Sequence, residues 1–218
     1  MNRLLWKSPD LPDLLAADLR TAPDPAWRRD MSPQLSYGRH DGPARGDARR
    51  AAVAVVLCWD GREWALPLTV RTPGLTRHAG QVSLPGGLID AQETPQEAAL
   101  RELDEELGCR PSFRWLGDLK PLWVFTSNTI VTPCVAAAEY WPAWQPNPRE
   151  VQQVLKLEVA SLLDASVRAP LVIQRGQLQF SAPQLIVEGH STWGATAVML
   201  GELCGRLMRM MSAPAPPP

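Results

Sequence analysis

Gly87 to Cys109 reads GLIDAQETPQEAALRELDEELGC and holds five glutamates and two aspartates in 23 residues. Thr94 is a good N-cap, Pro95 suits the first helical position, and Glu97 completes a capping box with Thr94. Gly108 is a natural stop, because the residue after a helix often takes the left-handed backbone that glycine tolerates. These signals predict a helix over Pro95 to Leu107. At about 100° per residue, Glu102, Glu105 and Glu106 fall within an arc of about 100°, and Leu100, Leu103 and Leu107 within about 60° on the opposite side. The helix can bury its leucines and present three carboxylates. Like charges at this spacing repel. Arg101 offsets part of that repulsion, and a hard divalent cation would offset more. An acidic, solvated helix face accounts for the same three residues equally well.

Composition bounds the rest. The chain has 218 residues, 45% of them hydrophobic, and a formal net charge of −1. That suits one globular domain with a sizeable core. The charge balance does not point to nucleic acid, and no apolar run is long enough to span a membrane. The N-terminus, MNRLLWKSPDLPDLL, breaks into Pro and Asp too early for a signal peptide. Cys58, Cys109, Cys134 and Cys204 are widely spaced with no CxxC, and read as separate buried thiols in a reducing, cytoplasmic setting. Nine tryptophans suit core and interface filling.

Along the chain, residues 1–49 read as an N-terminal extension with one short amphipathic helix from Asp10 to Arg20, its face made by Leu11, Leu14, Leu15 and Leu19. Ala51 to Trp59 reads as a buried strand, Asp60-Gly61 as a hairpin turn, and Glu63 to Arg71 as the returning strand, which Pro67 weakens or places on an edge. Residues 72–82 read as loop, Val82 to Leu84 as a short strand, and Phe113 to Val124 and Thr129 to Ala138 as two strands. Trp141 to Pro148 reads as a proline-rich loop, Val151 to Val159 as a strand and Ala160 to Ala165 as a short helix. Leu171 to Ile173, Gln177 to Phe180 and Gln184 to Val187 read as short strands, and Trp193 to Met210 as a closing helix. Residues 211–218 read as a proline-rich tail, expected to be disordered. Strands interleaved with two main helices indicate an α/β or α+β sandwich over residues 50–210.

With Pro85, Gly86 and Gly87 before it, the acidic stretch resembles the Nudix hydrolase signature: Gly, five residues, Glu, seven residues, Arg-Glu, an apolar residue, any residue, Glu-Glu, any residue, Gly, apolar. The matching residues are Gly87, Glu93, Arg101, Glu102, Leu103, Glu105, Glu106 and Gly108, with Cys109 where a branched aliphatic residue is usual. The resemblance implies an α/β/α sandwich with a mixed sheet, and a metal-dependent diphosphatase acting on a small-molecule substrate rather than on nucleic acid or a membrane. It implies that Glu102, Glu105 and Glu106 bind Mg²⁺ or Mn²⁺, with the Gly87 carbonyl as a further ligand. Arg101 would orient these carboxylates and Glu93 support them. Glu150 is the candidate general base from outside the helix, with Glu139 behind it. A homodimer is common in this family and fits the tryptophan content.

Upstream, Leu68 to Gly87 (LTVRTPGLTRHAGQVSLPGG) resembles the extra motif of the coenzyme A pyrophosphatase branch, through Leu68, Thr69, Arg71, Gly80, Pro85, Gly86 and Gly87. The second arginine of that motif is Thr76 here, with Arg77 one place later. Asn147 to Val151 and Trp193 to Ala197 also look like that branch. The resemblance implies hydrolysis of coenzyme A or acyl-coenzyme A to adenosine 3′,5′-bisphosphate and 4′-phosphopantetheine, with Arg71, Arg77, His78, Gln81 and Gly86 facing substrate. The alternatives are a Nudix hydrolase for another nucleotide, such as ADP-ribose or a nucleoside triphosphate, and a Nudix module that binds without turnover.

Overall fold

Strand β1, Arg49–Trp59, buries apolar side chains on both faces. Ala52, Ala54, Val56 and Cys58 pack in one cluster with Ala98, Ala99, Leu103 and Leu107. Ala51, Val55 and Leu57 pack in another with Leu11, Leu15, Leu200 and Leu203. A strand covered on both sides belongs at the centre of a layered structure. The structure, a computed structural model, describes residues 4–36, 39–74, 80–109, 112–164 and 168–212.

The remaining strands of the first sheet are β2 (Trp64–Arg71), β3 (Val82–Ser83), β4 (Gly86–Leu88), β5 (Arg114–Asp118), β6 (Leu122–Val124), β7 (Thr129–Ala138) and β8 (Val151–Glu158). One edge of β1 pairs in parallel with β7, from Arg49↔Thr129 to Cys58↔Ala138. The other edge is shared: β2 pairs with it at Cys58 and Trp59, and β4 at Ala51 to Val53. β5 and β6 follow one another antiparallel to β7, and β8 covers the outer edge of β2. The sheet is therefore mixed. Helix α3, Pro95–Leu107, covers one face; α1 (Leu11–Leu19), α2 (Pro25–Asp30) and α5 (Gly194–Ser212) cover the other, and α4 (Val159–Leu163) follows β8. This is the α/β/α sandwich expected. A smaller antiparallel sheet of β9 (Arg168–Arg175), β10 (Leu178–Val187) and β11 (His190–Trp193) leads into α5. Among the described residues no helix is long and apolar enough to cross a membrane.

The α3 boundaries match the expectation because their causes are local. Thr94 Oγ1 accepts the Glu97 amide at 3.2 Å, the Glu97 carboxylate accepts the Thr94 amide at 2.8 Å, and Gly108 takes the left-handed φ of 63°. α1 and β7 also lie where read. Elsewhere tertiary packing changes the picture. Gly86 to Leu88, to which the sequence assigned no element, form a strand: a Cβ on Gly86 would stand 2.3 Å from the Ala52 carbonyl oxygen, so glycine lets β4 close against β1. The expected strand from Phe113 to Val124 divides into β5 and β6 around Leu119 to Pro121. Pro67 does not mark an edge; it sits inside β2, where one side of that strand passes from β1 to β3. The three short strands after residue 170 are two long ones, and α5 runs on to Ser212, into the stretch read as tail. Cys58, Cys134 and Cys204 are buried and Cys109 is partly exposed.

The N-terminal residues contribute Leu5, Leu11, Leu15 and Met31 to the cluster that holds β1 and α5. α2 lies directly on α5 over Gly201 and Gly205. A Cβ on Gly205 would fall 1.8 Å from the Trp27 ring, and one on Gly201 would fall 2.8 Å from the Trp27 carbonyl oxygen.

Candidate active site

The three carboxylates of α3 do not stand alike. Leu103 and Leu107 bury the helix as expected, but Ala98 and Ala99 are buried with them while Leu100 is only partly so. That rotation carries Glu106 inward to 1% exposure, whereas the Glu105 side chain keeps 51%. Glu106 Oε2 accepts the Gly86 amide at 3.3 Å and Oε1 accepts from Arg71 Nη1 at 3.4 Å. Burial pushes its carboxyl up to about 8; Arg71 opposes the shift, and the charges of Glu102 and Glu150 add to it. Burial also raises the Glu102 carboxyl, against its bond from Arg101, with Glu105 and Glu150 adding to the rise.

Arg101 gathers the rest. Its guanidinium donates to Glu93 at 2.7 Å, Glu102 at 2.8 Å, Glu105 at 3.3 Å and the Leu88 carbonyl at 2.9 Å. Glu93 also accepts the Asp90 amide, and these bonds, led by that from Arg101, hold its carboxyl below the usual range. Gly87 has no room for a side chain, since a Cβ would lie 2.2 Å from Glu102 Oε1. Glu150 is half-buried beyond the proline-rich loop, its carbonyl accepting the Thr72 amide at 2.9 Å, and its charge acts on both Glu102 and Glu106. Glu139 is exposed.

The donor set is one of carboxylate oxygens and a strand carbonyl, the chemistry a hard divalent cation prefers. In these rotamers, among the described residues, no three acidic, His or Cys side chains converge as metal ligands; Arg71 and Arg101 lie between the carboxylates instead. The buried Glu106 carboxyl and the partly buried Glu102 carboxyl, which lies against Gly87, fit a cation chemically.

A cavity of about 490 Å³ adjoins this cluster, on the side of Arg71, Gln81 and Gly86. Its lining also takes in Arg39, His40, Phe125, Ser127, Phe180 and Met199. Arg71 and Gly86 thus touch both the buried carboxylate and the cavity. Arg77 and His78 lie outside the described residues. Arg39, His40 and Phe125 were not singled out by the sequence, where they carry no motif; the only signal was that His40 is one of three histidines in the chain.

The NUDIX domain model matches residues 48–176. A mitochondrial coenzyme A diphosphatase NUDT8 of Homo sapiens is 36% identical over 154 residues, a match covering 68% of this chain and 65% of the human protein. The mouse protein of the same name is 34% identical, with 68% and 73% covered. A protein from Pectobacterium atrosepticum, named uncharacterized Nudix hydrolase NudL, is 33% identical, with 71% and 81% covered. The matched region thus spans a little under two thirds of the human relative. Since the domain match takes in the acidic helix and the whole mixed sheet, with its Gly86–Leu88 strand, the chain belongs to the Nudix hydrolase family.

Proposed function

We propose that this Nudix hydrolase cleaves the pyrophosphate bond of coenzyme A or acyl-coenzyme A, giving adenosine 3′,5′-bisphosphate and 4′-phosphopantetheine or its acyl form. The observation that carries the reading is the placing of Glu106: it is buried among other carboxylates, yet bonded to Arg71 and Gly86, which both line the cavity. The names of the mammalian relatives support the substrate. A second arginine in the lining, Arg39, suits a ligand with more than one anionic group.

In this reading Glu102, Glu105, Glu106 and the Gly87 carbonyl hold Mg²⁺ or Mn²⁺, which when bound neutralises the diphosphate and lowers the pKa of a water. Arg101 keeps Glu102 and Glu105 aligned from α3. Arg71 turns from Glu106 toward a phosphate oxygen; its buried Nε has no partner among the described residues. Glu150, whose charge already acts on Glu102 and Glu106, takes the proton of the attacking water. The water oxygen bonds to one phosphorus, the bridging P–O bond at that phosphorus breaks, and the bridging oxygen leaves with the other phosphate, so both products carry a phosphate monoester.

Coenzyme A, an acyl-coenzyme A, ADP-ribose and a deoxynucleoside triphosphate, assayed with Mg²⁺ and with Mn²⁺, test the substrate. The expected result is the highest kcat/KM for a coenzyme A compound, with adenosine 3′,5′-bisphosphate as product. Cleavage of another nucleotide with coenzyme A left intact would overturn the assignment. Gly87→Ala is expected to push the Glu102 carboxylate aside and lower turnover roughly 10–100-fold, the scale of disturbing a metal ligand's support. Its melting temperature should change little, because the obstructing atoms are the end of a flexible side chain.

A further inference from the structure

We propose that Arg39, His40 and Phe125 form the seat of the substrate's adenine ring, with His40 Nε2 accepting a hydrogen bond from the exocyclic amine. The inference rests on the reading above only in taking the ligand to be a nucleotide.

His40 is 8% exposed and lines the cavity. Its Nδ1 stands 3.1 Å from the Trp123 carbonyl oxygen. A carbonyl only accepts, so Nδ1 carries the proton, and in the neutral ring Nε2 is left with a bare lone pair. That Nε2 is buried and has no partner among the described residues. Buried acceptors are costly to leave unpaired; His40 lines the cavity, so a small turn of its ring would bring this atom to a donor on the ligand. Two of the buried side-chain atoms left without partners among the described residues belong to cavity-lining residues, Arg71 Nε and His40 Nε2. They differ in sense: a donor beside the acidic cluster, where an anion is expected, and an acceptor on the wall made by residues 39–40 and the β6–β7 turn.

The surroundings of that acceptor are flat and aromatic. The His40 and Phe125 rings lie 5.5 Å apart, Trp123 meets Phe125 edge-on at 6.4 Å, and the Arg39 guanidinium sits 5.5 Å from the Phe125 centroid. Aromatic faces and planar guanidinium groups are what nucleobases stack on. Adenine is the aromatic part of coenzyme A, and its edge carries an amine that donates. A hypoxanthine ring offers a carbonyl at that place and would set acceptor against acceptor. Residues 39 and 40 precede the stretch that the Nudix model matches, which starts at residue 48, whereas Phe125 lies within it.

Calorimetric titration of the full-length protein with adenosine 5′-diphosphate and inosine 5′-diphosphate, in Mg²⁺, tests the seat. Wild type is expected to bind the adenine nucleotide roughly tenfold more tightly, the scale of one buried hydrogen bond gained and one unpaired group avoided. His40→Ala should level the two affinities. His40→Gln, whose amide oxygen reaches near the Nε2 position, should keep part of the preference. Phe125→Leu should weaken both nucleotides by a similar factor. Equal binding by wild type, or a preference that survives in a folded His40→Ala protein, would overturn the proposal. Should His40→Ala not fold, a crystal soaked with adenosine 5′-diphosphate decides: a base away from Phe125 also overturns it. Neither nucleotide carries a pantetheine arm, so failure to cleave coenzyme A would leave this result standing.

Discussion

Glu106→Gln is expected to lower coenzyme A turnover by roughly 10²–10⁴-fold, the range in which positioned acid–base and charge-stabilising groups act. The melting temperature should hold or rise. Glutamine keeps the shape of the side chain, and its carbonyl oxygen can still accept from the Gly86 amide or from Arg71. What it lacks is the negative charge, and in the unloaded protein that charge is a liability. Glu106 is 1% exposed, and burial together with the nearby Glu102 and Glu150 charges disfavours its ionised form, against Arg71 and the Gly86 amide. Removing the charge therefore relieves the fold and harms the chemistry, a separation that a merely structural residue would not give. Titration with Mn²⁺ should show weaker metal binding in the same variant. Full activity with Gln at this position would remove Glu106 from the metal site.

Glu202→Ala is expected to lower the unfolding free energy by about 3–5 kcal/mol, as breaking a buried ion pair does when one partner is removed. Glu202 is 0% exposed and lies between Arg28, at 5%, and Arg206, at 2%. Its Oε2 accepts from Arg28 at 2.7 Å, and its Oε1 accepts from Arg206 at 3.0 Å and from the Lys120 amide at 3.2 Å. Arg206 reaches on to Asp18 at 2.9 Å, and Arg28 to the Lys120 and Pro121 carbonyls. This network ties α1, α2, the β5–β6 connection and α5 together. Without Glu202, two buried guanidiniums lose their main counter-charge. A domain's whole stability is about 5–15 kcal/mol, so the loss should be plain in a urea midpoint. A shift below about 0.5 kcal/mol would show that the pair carries no weight in the fold. Because α2 precedes residues 39–40, the same variant should also loosen nucleotide binding before it unfolds.

The sequence was most informative where causes are short-range. The cap at Thr94 and Glu97, the stop at Gly108 and the apolar run along β1 lie within a few residues of what they determine, and each was legible unaided. The acidic signature was legible for the same reason, as a spacing along one helix. Gly86 and Gly87 were legible as part of the motif but not as a strand, since β4 exists only by pairing with β1. The network of Glu202 and Arg206 was not read from the sequence, because its partners Arg28 and Asp18 lie 174 and 188 residues away.

By itself the sequence determined the helix, its caps, its carboxylates and the family, because hydrogen bonds between near neighbours and a fixed spacing need no other part of the chain. Only the tertiary structure decided which glutamate is buried, that Arg71 and Gly86 join it to a cavity, and that His40 and Phe125 share one wall of that cavity. Those facts depend on which surfaces are removed from water when distant segments pack, and burial of that kind has no signature in local spacing.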